Sequence, residues 1–309
     1  MTRLIAIDGG TTNTRLMLLE DGEITDSLSL SVGAGANAKA AGTLQNAVRE
    51  AIGNLLERNG LKEENIERIL ASGMLTSELG LYTVPHLTAP VSLADLKSGM
   101  REVRLDLSSI PFLFAAGVKT EGEDLSELDM MRGEECELVG LFDGIPASAA
   151  VLLPGSHSKI ILTDEQARIV GIKTMLTGEM LAVLSGETLL RGSFSLSEAR
   201  LLPEVLEEGF LYADTHGLGD ALFKVRVLKL RRDYTPDMLY SFFLGAVLRD
   251  EVKAVLNMHP KSIYVGGKAQ LRLPLMLLLA PRTDAVLTAL DDALVKQSTA
   301  KGLLKLYTL

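Results

Sequence analysis

The sequence contains few of the residues on which disulfide-linked, nucleic-acid-binding and membrane proteins depend. Its single cysteine, Cys136, excludes an internal disulfide and a cysteine-rich metal site, so we interpret it as a small buried hydrophobe. The 31 Lys and Arg residues are outnumbered by 40 Asp and Glu, and the net charge of −9 argues against nucleic acid and anionic membranes as partners. The longest apolar run, residues 273–280, contains Pro274 and is too short to span a bilayer.

Length and composition indicate a well-packed protein with two domains. The chain has 309 residues, enough for two domains of roughly 150 residues each. Hydrophobic residues make up 47% of the sequence and charged residues 23%, which is typical of a soluble globular protein. Only Arg3 precedes the first apolar segment and charge follows soon after it, so the sequence shows no N-terminal signal and we expect a cytoplasmic protein.

The most informative segment is residues 4–16, Leu-Ile-Ala-Ile-Asp-Gly-Gly-Thr-Thr-Asn-Thr-Arg-Leu. An apolar strand ends at Asp8 and is followed by two glycines and a run of hydroxyl and amide side chains. Glycine allows the backbone to approach a ligand closely, and the N–H groups of such a turn can bind an anion. A carboxylate beside phosphates makes sense with a divalent cation between them. We therefore predict a metal–nucleotide site, with Asp8 at the metal and four residues at the phosphates (Gly10, Thr11, Thr12 and Asn13).

This segment has one alternative interpretation, and two other nucleotide-binding motifs are excluded. A strand followed by Gly-Gly-Thr-Thr-Asn is also an ordinary β-hairpin turn. The segment lacks the G-x-x-x-x-G-K-[ST] pattern of a P-loop, and it does not open a helix as G-x-G-x-x-G does, because residues 15–20 continue as a strand. Strand, phosphate turn and strand form the hairpin of the actin-like and sugar-kinase superfamily, and this topology favours the nucleotide interpretation.

The N-terminal half has the element order of an RNase H-like domain. Three apolar segments separated by Gly or Asp turns predict a meander over residues 4–7, 15–19 and 24–30. Helical spacing follows over residues 38–59 and ends at Gly60, and a further strand is predicted over residues 66–72. Residues 80–128 are harder to interpret, with strands predicted near 103–105 and 111–115 and an acidic loop after them.

The pattern then repeats in the C-terminal half. An apolar run over residues 149–154 leads into the turn Gly155-Ser156-His157-Ser158, and strands over residues 159–163 and 167–173 complete a second meander. Duplicated phosphate hairpins predict the α/β fold class of the actin-like ATPases, with two RNase H-like domains around an interdomain cleft. Helices are predicted after them over residues 178–191, 197–209, 218–230, 235–257 and 291–306. A strand over residues 262–265 ends at Gly266-Gly267, where a turn suits a contact with adenosine.

The second turn offers several groups that bind phosphate. Gly155, Ser156 and His157 are predicted phosphate contacts, and Lys159 is the kind of point charge that neutralises a transferring phosphoryl group. A surface loop of this composition is common, and a lone histidine is more often structural. The repeat itself favours the functional interpretation.

The segment Met131-Arg132-Gly133-Glu134-Glu135 follows the acidic loop and starts a predicted helix. In the functional interpretation Arg132 holds a substrate carboxylate in a bidentate fork, and one glutamate accepts the proton of the attacking hydroxyl. We assign the base to Glu134 and place Glu135 beside the substrate. The alternative is that these glutamates are first-turn acids that interact with the helix dipole.

Two further segments are candidate substrate contacts. Thr177 and Glu179 open another predicted helix, although a Thr N-cap and a first-turn acid explain them without function. Gly73 and Met74 end a first-domain strand and could shape the sugar pocket, or could equally form a Gly turn.

These segments together resemble those of 2-dehydro-3-deoxygalactonokinases in order and spacing across nearly the whole chain. The motifs M-R-G-E-E and P-G-[ST]-H-x-K together are specific, whereas D-G-x-T alone is not. The resemblance implies an actin-like fold and ATP-dependent phosphorylation of the C6 hydroxyl of a 2-keto-3-deoxy sugar acid in galactonate breakdown. Relatives typically carry Trp after the first Asp and an aromatic after the Lys of the second hairpin. Here Gly9 and Ile160 stand at these positions, and the chain has no Trp.

We therefore predict a carbohydrate kinase that uses ATP and Mg²⁺ to phosphorylate 2-dehydro-3-deoxy-D-galactonate. The domains are placed at residues 1–145, with the first hairpin and the sugar-acid site, and 146–309, with the second hairpin, the adenosine site and a last helix that could pack back on the first domain. The expected partners are ATP and a small-molecule sugar acid, with a homodimer as a candidate assembly and neither nucleic acid nor membrane. The alternatives are a kinase for another sugar or sugar acid and a non-catalytic nucleotide-binding sensor.

Overall fold

The computed structural model of the protein describes residues 1–142 and 144–309. The chain divides into two compact units, which are described separately below. Unit 1 comprises Met1–Ala147, Thr163–Ile172 and Ala293–Leu309, and unit 2 comprises Ser148–Leu162 and Lys173–Asp292. Among the described residues, no helix combines the length and the apolar character needed to cross a bilayer.

The secondary structure is a mixture of strands and helices. The strands are β1 (Arg3–Gly9), β2 (Thr14–Glu20), β3 (Glu23–Leu30), β4 (Arg68–Gly73), β5 (Leu87–Thr88), β6 (Arg101–Val103), β7 (Phe112–Phe114), β8 (Val118–Thr120), β9 (Asp129–Met131), β10 (Ala149–Leu153), β11 (Ser158–Thr163), β12 (Ile169–Met175), β13 (Ser262–Val265) and β14 (Val286–Ala289). The helices are α1 (Gly35–Lys39), α2 (Thr43–Arg58), α3 (Leu93–Gly99), α4 (Glu134–Leu141), α5 (Thr177–Glu187), α6 (Pro203–His216), α7 (Leu218–Arg231), α8 (Pro236–Asn257), α9 (Ala269–Leu279) and α10 (Asp292–Thr308).

A six-stranded mixed sheet forms the centre of unit 1, in the order β3-β2-β1-β4-β7-β6. Strand β1 pairs antiparallel with β2 and parallel with β4, so the carboxyl ends of β1 and β4 lie side by side. This register places Asp8 opposite Arg15 of β2 and beside Ser72 of β4. A smaller sheet, in the order β5-β8-β9, leads into the segment before α4.

The core of unit 1 follows from the apolar periodicity of its elements. Residues 4–7 of β1 are at most 1% exposed, whereas β3 alternates between half-buried and exposed residues, as an edge strand does. Helix α2 buries one apolar face at helical spacing (Leu44, Val48, Ala51, Ile52, Leu55 and Leu56). This face belongs to the same core as β1, β4 and β7, including the stacked rings of Phe112 and Phe114.

The sheet at the centre of unit 2 repeats the pairing pattern, in the order β12-β11-β10-β13-β14. Strand β10 pairs antiparallel with β11 and parallel with β13, and β13 pairs parallel with β14. Strands β1 and β10 therefore have equivalent positions. Each is flanked on one side by the antiparallel strand of its own hairpin and on the other by a parallel strand that follows later in the chain.

Helix α8 is the centre of the helical layer in unit 2. It buries thirteen of its 22 residues and crosses α6 at two glycines. A Cβ at Gly209 would lie 2.0 Å from the Phe242 carbonyl oxygen, and a Cβ at Gly245 would lie 2.0 Å from the Leu206 carbonyl oxygen. Only glycine allows the two helix backbones to approach so closely.

Several element boundaries differ from the sequence predictions for identifiable reasons. The helix predicted over residues 38–59 is two helices, because Gly42 adopts a positive φ of 80° between α1 and α2. The helix predicted over residues 197–209 begins at Pro203, which occupies the first helical turn, where the missing N–H of proline costs nothing. Helix α9 and strand β14 were not predicted. Pro274 interrupts the apolar run of α9, but the helix tolerates it.

Candidate active site

Three glycines bring the predicted site residues of unit 1 together. A Cβ at Gly73 would lie 2.3 Å from the Gly9 carbonyl oxygen, and a Cβ at Gly133 would lie 3.0 Å from Cα of Gly73. Gly73 and Gly133 also have positive φ angles, of 72° and 115°. The ends of β1 and β4 and the start of α4 can therefore touch through their backbones. This contact gathers Asp8, the 73–76 turn and the acidic first turn of α4.

The first hairpin turn is exposed and is supported from behind by its own unit. Gly10, Thr11, Thr12 and Asn13 are all exposed, and the Gly10 N–H donates to the Asn13 carbonyl oxygen at 2.8 Å. The N–H groups of Ala34 and Gly35 donate to the carbonyl oxygens of Gly10 and Thr11, at 3.1 and 2.9 Å. The turn is thus held by its carbonyl groups, and its residues are exposed.

Asp8 lies half-buried at the end of β1. Burial raises the pKa of this carboxyl, while the positive charge of Arg15 and a hydrogen bond with the Thr299 side chain act in the opposite direction. Thr299 belongs to α10, and the Arg15 guanidinium also donates to the Lys296 carbonyl oxygen of that helix at 3.2 Å. The last helix of the chain therefore contributes to the surroundings of Asp8 within unit 1.

The first turn of α4 crowds carboxylates near Asp8. Burial, followed by the charge of Glu134, raises the pKa of Glu135 to about 7. Burial, followed by the charges of Glu134 and Asp8, raises the pKa of the half-buried Glu137 to about 8. Burial and the neighbouring carboxyls both disfavour the ionised forms of Glu135 and Glu137, and a cation bound nearby would favour them.

The structure distinguishes the two glutamates of the M-R-G-E-E motif. Glu135 is 1% exposed, and its two oxygens accept from the Gly133 N–H at 2.9 Å each. Glu134 is half-buried, and its Oε2 accepts from the Arg132 N–H at 3.0 Å. The predicted substrate contact through Glu135 does not fit its burial, whereas Glu134 has access to solvent.

Arg132 has different partners from those that the sequence predicts. Nη1 donates to the carbonyl and the hydroxyl of Thr76, at 2.6 and 2.5 Å. Nη2 donates to the Val84 carbonyl oxygen and lies 3.1 Å from Nδ1 of His86. Four of the five guanidinium N–H groups are thus used within the protein. The fork is not available to a substrate in this conformation, and its geometry fits a residue that positions the 73–86 segment.

Gly73 and Met74 lie where this segment begins. Met74 is half-buried and opens the single 3₁₀ turn Met74–Thr76. The Thr76 hydroxyl donates to the Gly73 carbonyl oxygen at 3.0 Å and accepts from Arg132, so the turn is tied to the start of α4. Gly73 therefore lies between the end of β1 and the start of α4, and the half-buried Met74 follows it.

The second hairpin turn in unit 2 is seated on the start of α5. Ser156 and His157 are exposed, and Gly155 is half-buried. The N–H groups of Gly178 and Glu179 donate to the Ser156 carbonyl oxygen at 3.1 and 3.2 Å. Like the first turn, this one is held through a carbonyl group and exposes its tip.

Two polar side chains of the second hairpin are paired with residues of adjacent elements. Nε2 of His157 lies 2.8 Å from Oε1 of Glu179, so these two predicted contacts are adjacent. Lys159 is 7% exposed and donates from Nζ to the Thr174 hydroxyl on β12 at 2.6 Å. Lys159 is thus a buried residue near the turn, bonded to the neighbouring strand.

Thr177 has a role that the sequence did not suggest. It is not an N-cap, because Leu176 occupies that position and Thr177 is the first helical residue. Its side chain is 4% exposed, and its hydroxyl donates to Oε2 of Glu251 at 2.8 Å. Direct contact of Thr177 with a substrate does not fit this burial.

Gly266 and Gly267 contact the end of β10, the strand that leads into the second hairpin. The Gly266 N–H donates to the Leu152 carbonyl oxygen at 2.8 Å. Gly267 has a positive φ of 59°, and a Cβ there would lie 2.4 Å from the Pro154 carbonyl oxygen. The carbonyl groups of both glycines accept from Arg272, which also pairs with Asp292 at 2.6 Å. The two glycines therefore belong to the same region of unit 2 as the hairpin.

Some residues near these sites were missed by the sequence analysis. Glu137 lies three residues after Glu134, which puts both on one side of α4, and this spacing was a usable signal. Glu251 interrupts the apolar face of α8 between Leu248 and Val252, which was a second signal. Nothing local marks Thr299. Among the described residues, no group of three or more His, Cys, Asp or Glu side chains is arranged to ligate a metal ion.

Comparison with known proteins identifies the family. The sequence model of the 2-keto-3-deoxy-galactonokinase family matches residues 8–306. No curated protein matches the chain significantly. The structure is similar to a crystal structure from Sinorhizobium meliloti of a protein provisionally named 2-dehydro-3-deoxygalactonokinase. The two are 19% identical with a TM-score of 0.80, over 98% of this chain and 97% of the other.

More distant structures share the fold. The activator of 2-hydroxyisocaproyl-CoA dehydratase from Clostridium difficile, with bound ADPNP, has a TM-score of 0.52 at 12% identity, over 99% of this chain and 95% of its own. A xylulose kinase from Lactobacillus acidophilus has a TM-score of 0.52 at 11% identity, over 99% of this chain and 89% of its own. The predicted actin-like ATPase fold class is confirmed. The chain belongs to the 2-keto-3-deoxy-galactonokinase family and is a carbohydrate kinase.

Proposed function

We propose that this kinase uses ATP to phosphorylate the C6 hydroxyl of a 2-keto-3-deoxy sugar acid, 2-dehydro-3-deoxy-D-galactonate, in galactonate catabolism. The observation that carries the site assignment is the group of carboxyls at the end of β1 and the start of α4. Glu137 interacts electrostatically with both Asp8 and Glu134, and Asp8 precedes the exposed turn at residues 10–13. The family match supports the choice of substrate.

The group of carboxyls formed by Asp8, Glu134 and Glu137 fits a magnesium ion. Mg²⁺ in kinases is held by one or two carboxylates together with water and substrate phosphates, so a ready-made cluster of three ligands is not required. Burial is the main cause of the raised pKa of both Asp8 and Glu137, and a divalent cation bound beside them would favour the ionised form of each carboxyl. Asp8 would hold the ion, and Mg²⁺ would supply neutralisation of the phosphate charge.

The protein's own residues account for the remaining steps. The turns at residues 10–13 and 155–157 bind phosphate through backbone N–H groups, and Gly266 and Gly267 lie by the nucleoside. Glu134 accepts the proton of the C6 hydroxyl while the hydroxyl oxygen bonds to the γ-phosphorus of ATP. The bond between the γ-phosphorus and the oxygen that bridges it to the β-phosphorus breaks, and ADP is released. Arg132 positions the Gly73–Thr76 turn beside the acceptor.

The assignment of Asp8 and Glu134 is tested by conservative substitution. Because phosphoryl transfer has a loose transition state, charge neutralisation should matter more than proton removal. In an assay that couples ADP release to NADH oxidation, we expect Glu134→Gln to lower kcat about 100-fold and Asp8→Asn to lower it further. Glu64→Gln, which changes an exposed carboxylate of unit 1, is the matched control and should leave kcat unchanged. Unchanged kcat in both site variants would refute the assignment.

The acceptor itself is tested with a panel of substrates. The panel contains 2-keto-3-deoxygalactonate, 2-keto-3-deoxygluconate, galactonate and unmodified hexoses. We expect turnover of the first compound, since its chemistry is the one that the family name describes. Turnover of a hexose alone would show that the substrate proposal is wrong while leaving the kinase assignment intact.

A further inference from the structure

Glu251 is a buried carboxyl that the proposed mechanism does not use. It lies in α8 and is 1% exposed. Its helical neighbours Leu248, Val252 and Val255 are all fully buried apolar residues. A carboxyl in such surroundings is costly unless polar partners compensate it, so its partners indicate what it does.

The partners of Glu251 come from the two segments that form the second phosphate hairpin and its support. The Thr177 hydroxyl, at the start of α5, donates to Oε2 at 2.8 Å. The Ser158 side chain, at the start of β11, also forms a hydrogen bond with the carboxyl. Oε1 is buried and has no hydrogen-bond partner among the described residues. Burial raises the pKa of Glu251, and the two hydroxyl groups oppose this effect.

Ser158 and the residue that follows Thr177 connect directly to the backbone of the hairpin. Ser158, which is fully buried, accepts from the Gly155 N–H at 3.3 Å through its hydroxyl. Next to Thr177, the Gly178 N–H donates to the Ser156 carbonyl oxygen at 3.1 Å. A Cβ at Gly178 would lie 2.3 Å from the Gly155 carbonyl oxygen, so the hairpin rests directly on the start of α5. A displacement of either hydroxyl group would therefore move the turn.

We propose that Glu251 is a positioning residue, which fixes the phosphate-binding conformation of the second hairpin through the hydroxyl groups of Thr177 and Ser158. This inference rests on the proposed kinase function. Glu251 does not touch the nucleotide, because its carboxyl is buried behind the turn. It holds β11 and α5 at a set separation, and the exposed Ser156 and His157 then present their backbone to phosphate.

The test separates nucleotide binding from sugar binding. We expect Thr177→Val to raise the KM for ATP about tenfold while the KM for the sugar acid stays within twofold of wild type, since only the hairpin is disturbed. Thr177→Ser restores the hydroxyl and should recover most of the ATP affinity. Glu251→Gln keeps one oxygen acceptor and should raise the KM for ATP by less than Thr177→Val does.

Ser241→Ala provides a matched control on the same helix. Ser241 is also fully buried, accepts from the Leu202 N–H at 2.9 Å and donates to the Asp237 carbonyl oxygen at 2.8 Å. It lies ten residues before Glu251 on α8, about 15 Å along the helix. The control loses buried hydrogen bonds as Thr177→Val does, but we expect its KM for ATP to equal that of wild type.

Calorimetric titration of each variant with Mg²⁺ and ADP gives a readout that does not depend on turnover. We expect the Kd for ADP to rise with the KM for ATP in Thr177→Val and to recover in Thr177→Ser. Wild-type ADP affinity in both Thr177→Val and Glu251→Gln, or an equal loss in Ser241→Ala, would overturn the inference. Absence of sugar-dependent ADP release in the wild type would instead refute the proposed function, and the ADP titrations would still decide the role of Glu251.

Discussion

Single residues decide how closely the segments around Asp8 can pack. Gly9 follows Asp8 at the end of β1, and a Cβ there would lie 2.4 Å from Cγ of Leu75. Leu75 is fully buried and occupies the space into which a larger side chain at position 9 would extend. The packing of Leu75 therefore favours glycine at position 9, and the end of β1 lies in contact with Gly73.

At the same scale, His86 gives unit 1 a sensitivity to acid. Burial, followed by the charges of Arg132 and Lys119, lowers the pKa of His86 to about 4. Nδ1 faces Nη2 of Arg132 at 3.1 Å, so a neutral ring accepts this hydrogen bond. As pH falls from about 6.5 to 4, the unfolded chain binds a proton that the folded protein does not bind, and the free energy of unfolding decreases.

The measurement for this prediction is urea unfolding at pH 7, 5.5 and 4.5. His86→Gln keeps an oxygen acceptor for Arg132 but cannot titrate. We expect the variant to lose less stability than wild type on acidification, with a difference in slope of at most about 1.4 kcal/mol per pH unit. Parallel pH profiles of the two proteins would contradict the assigned role of His86.

At the scale of elements, the site of unit 1 depends on a close crossing of α4 and α10. A Cβ at Gly302 would lie 1.8 Å from the Cys136 carbonyl oxygen, and a Cβ at Gly140 would lie 1.8 Å from the Ser298 carbonyl oxygen. The crossing places Thr299 near Asp8 and packs α10 against the helix that carries Glu134 and Glu137. The geometry of the acidic group thus depends on the last helix of the chain.

A substitution at this crossing has a predictable cost. Gly302→Ala puts a methyl group into the Cys136 carbonyl group, and we expect a loss of about 1–3 kcal/mol in the free energy of unfolding, together with a lower kcat. Gly53→Ala is the control, since Gly53 is an exposed position inside α2 with nothing within 4 Å of its Cβ. The control should gain about 0.5–1 kcal/mol, as alanine normally does in a helix. A neutral Gly302→Ala in denaturant titrations would show that the helices separate without cost.

For the whole molecule, the repeated arrangement of β1 and β10 explains why the chain has two similar hairpin turns. Each central strand ends at a turn between its antiparallel partner and a later parallel strand. In α/β sheets, ligands bind beyond the carboxyl ends of the strands. Both turns therefore have the position that a nucleotide site requires, although the two units are unlike in their helices.

The kinase and the non-catalytic sensor are separated by a measurement on the whole chain. Nucleotide at about 100 times its Kd should stabilise either protein by about 2.7 kcal/mol, seen as a rise in Tm. Only a kinase adds sugar-dependent release of ADP at the same nucleotide concentration. A rise in Tm with ATP and no ADP release with any acid or hexose of the panel would favour the sensor.

The sequence alone determined both meanders, both hairpin turns, strand β13 and the first turn of α4, because these features depend on local periodicity and on turn residues such as Gly155. The tertiary structure alone decided which side chains reach solvent. Both Nη atoms of Arg132 are bonded to Thr76, Val84 and His86, and Thr177 is bonded to Glu251. These contacts join residues 46 to 74 positions apart, so no local pattern encodes them. They arise when packing brings distant polar groups into a low dielectric, where each group must find a partner.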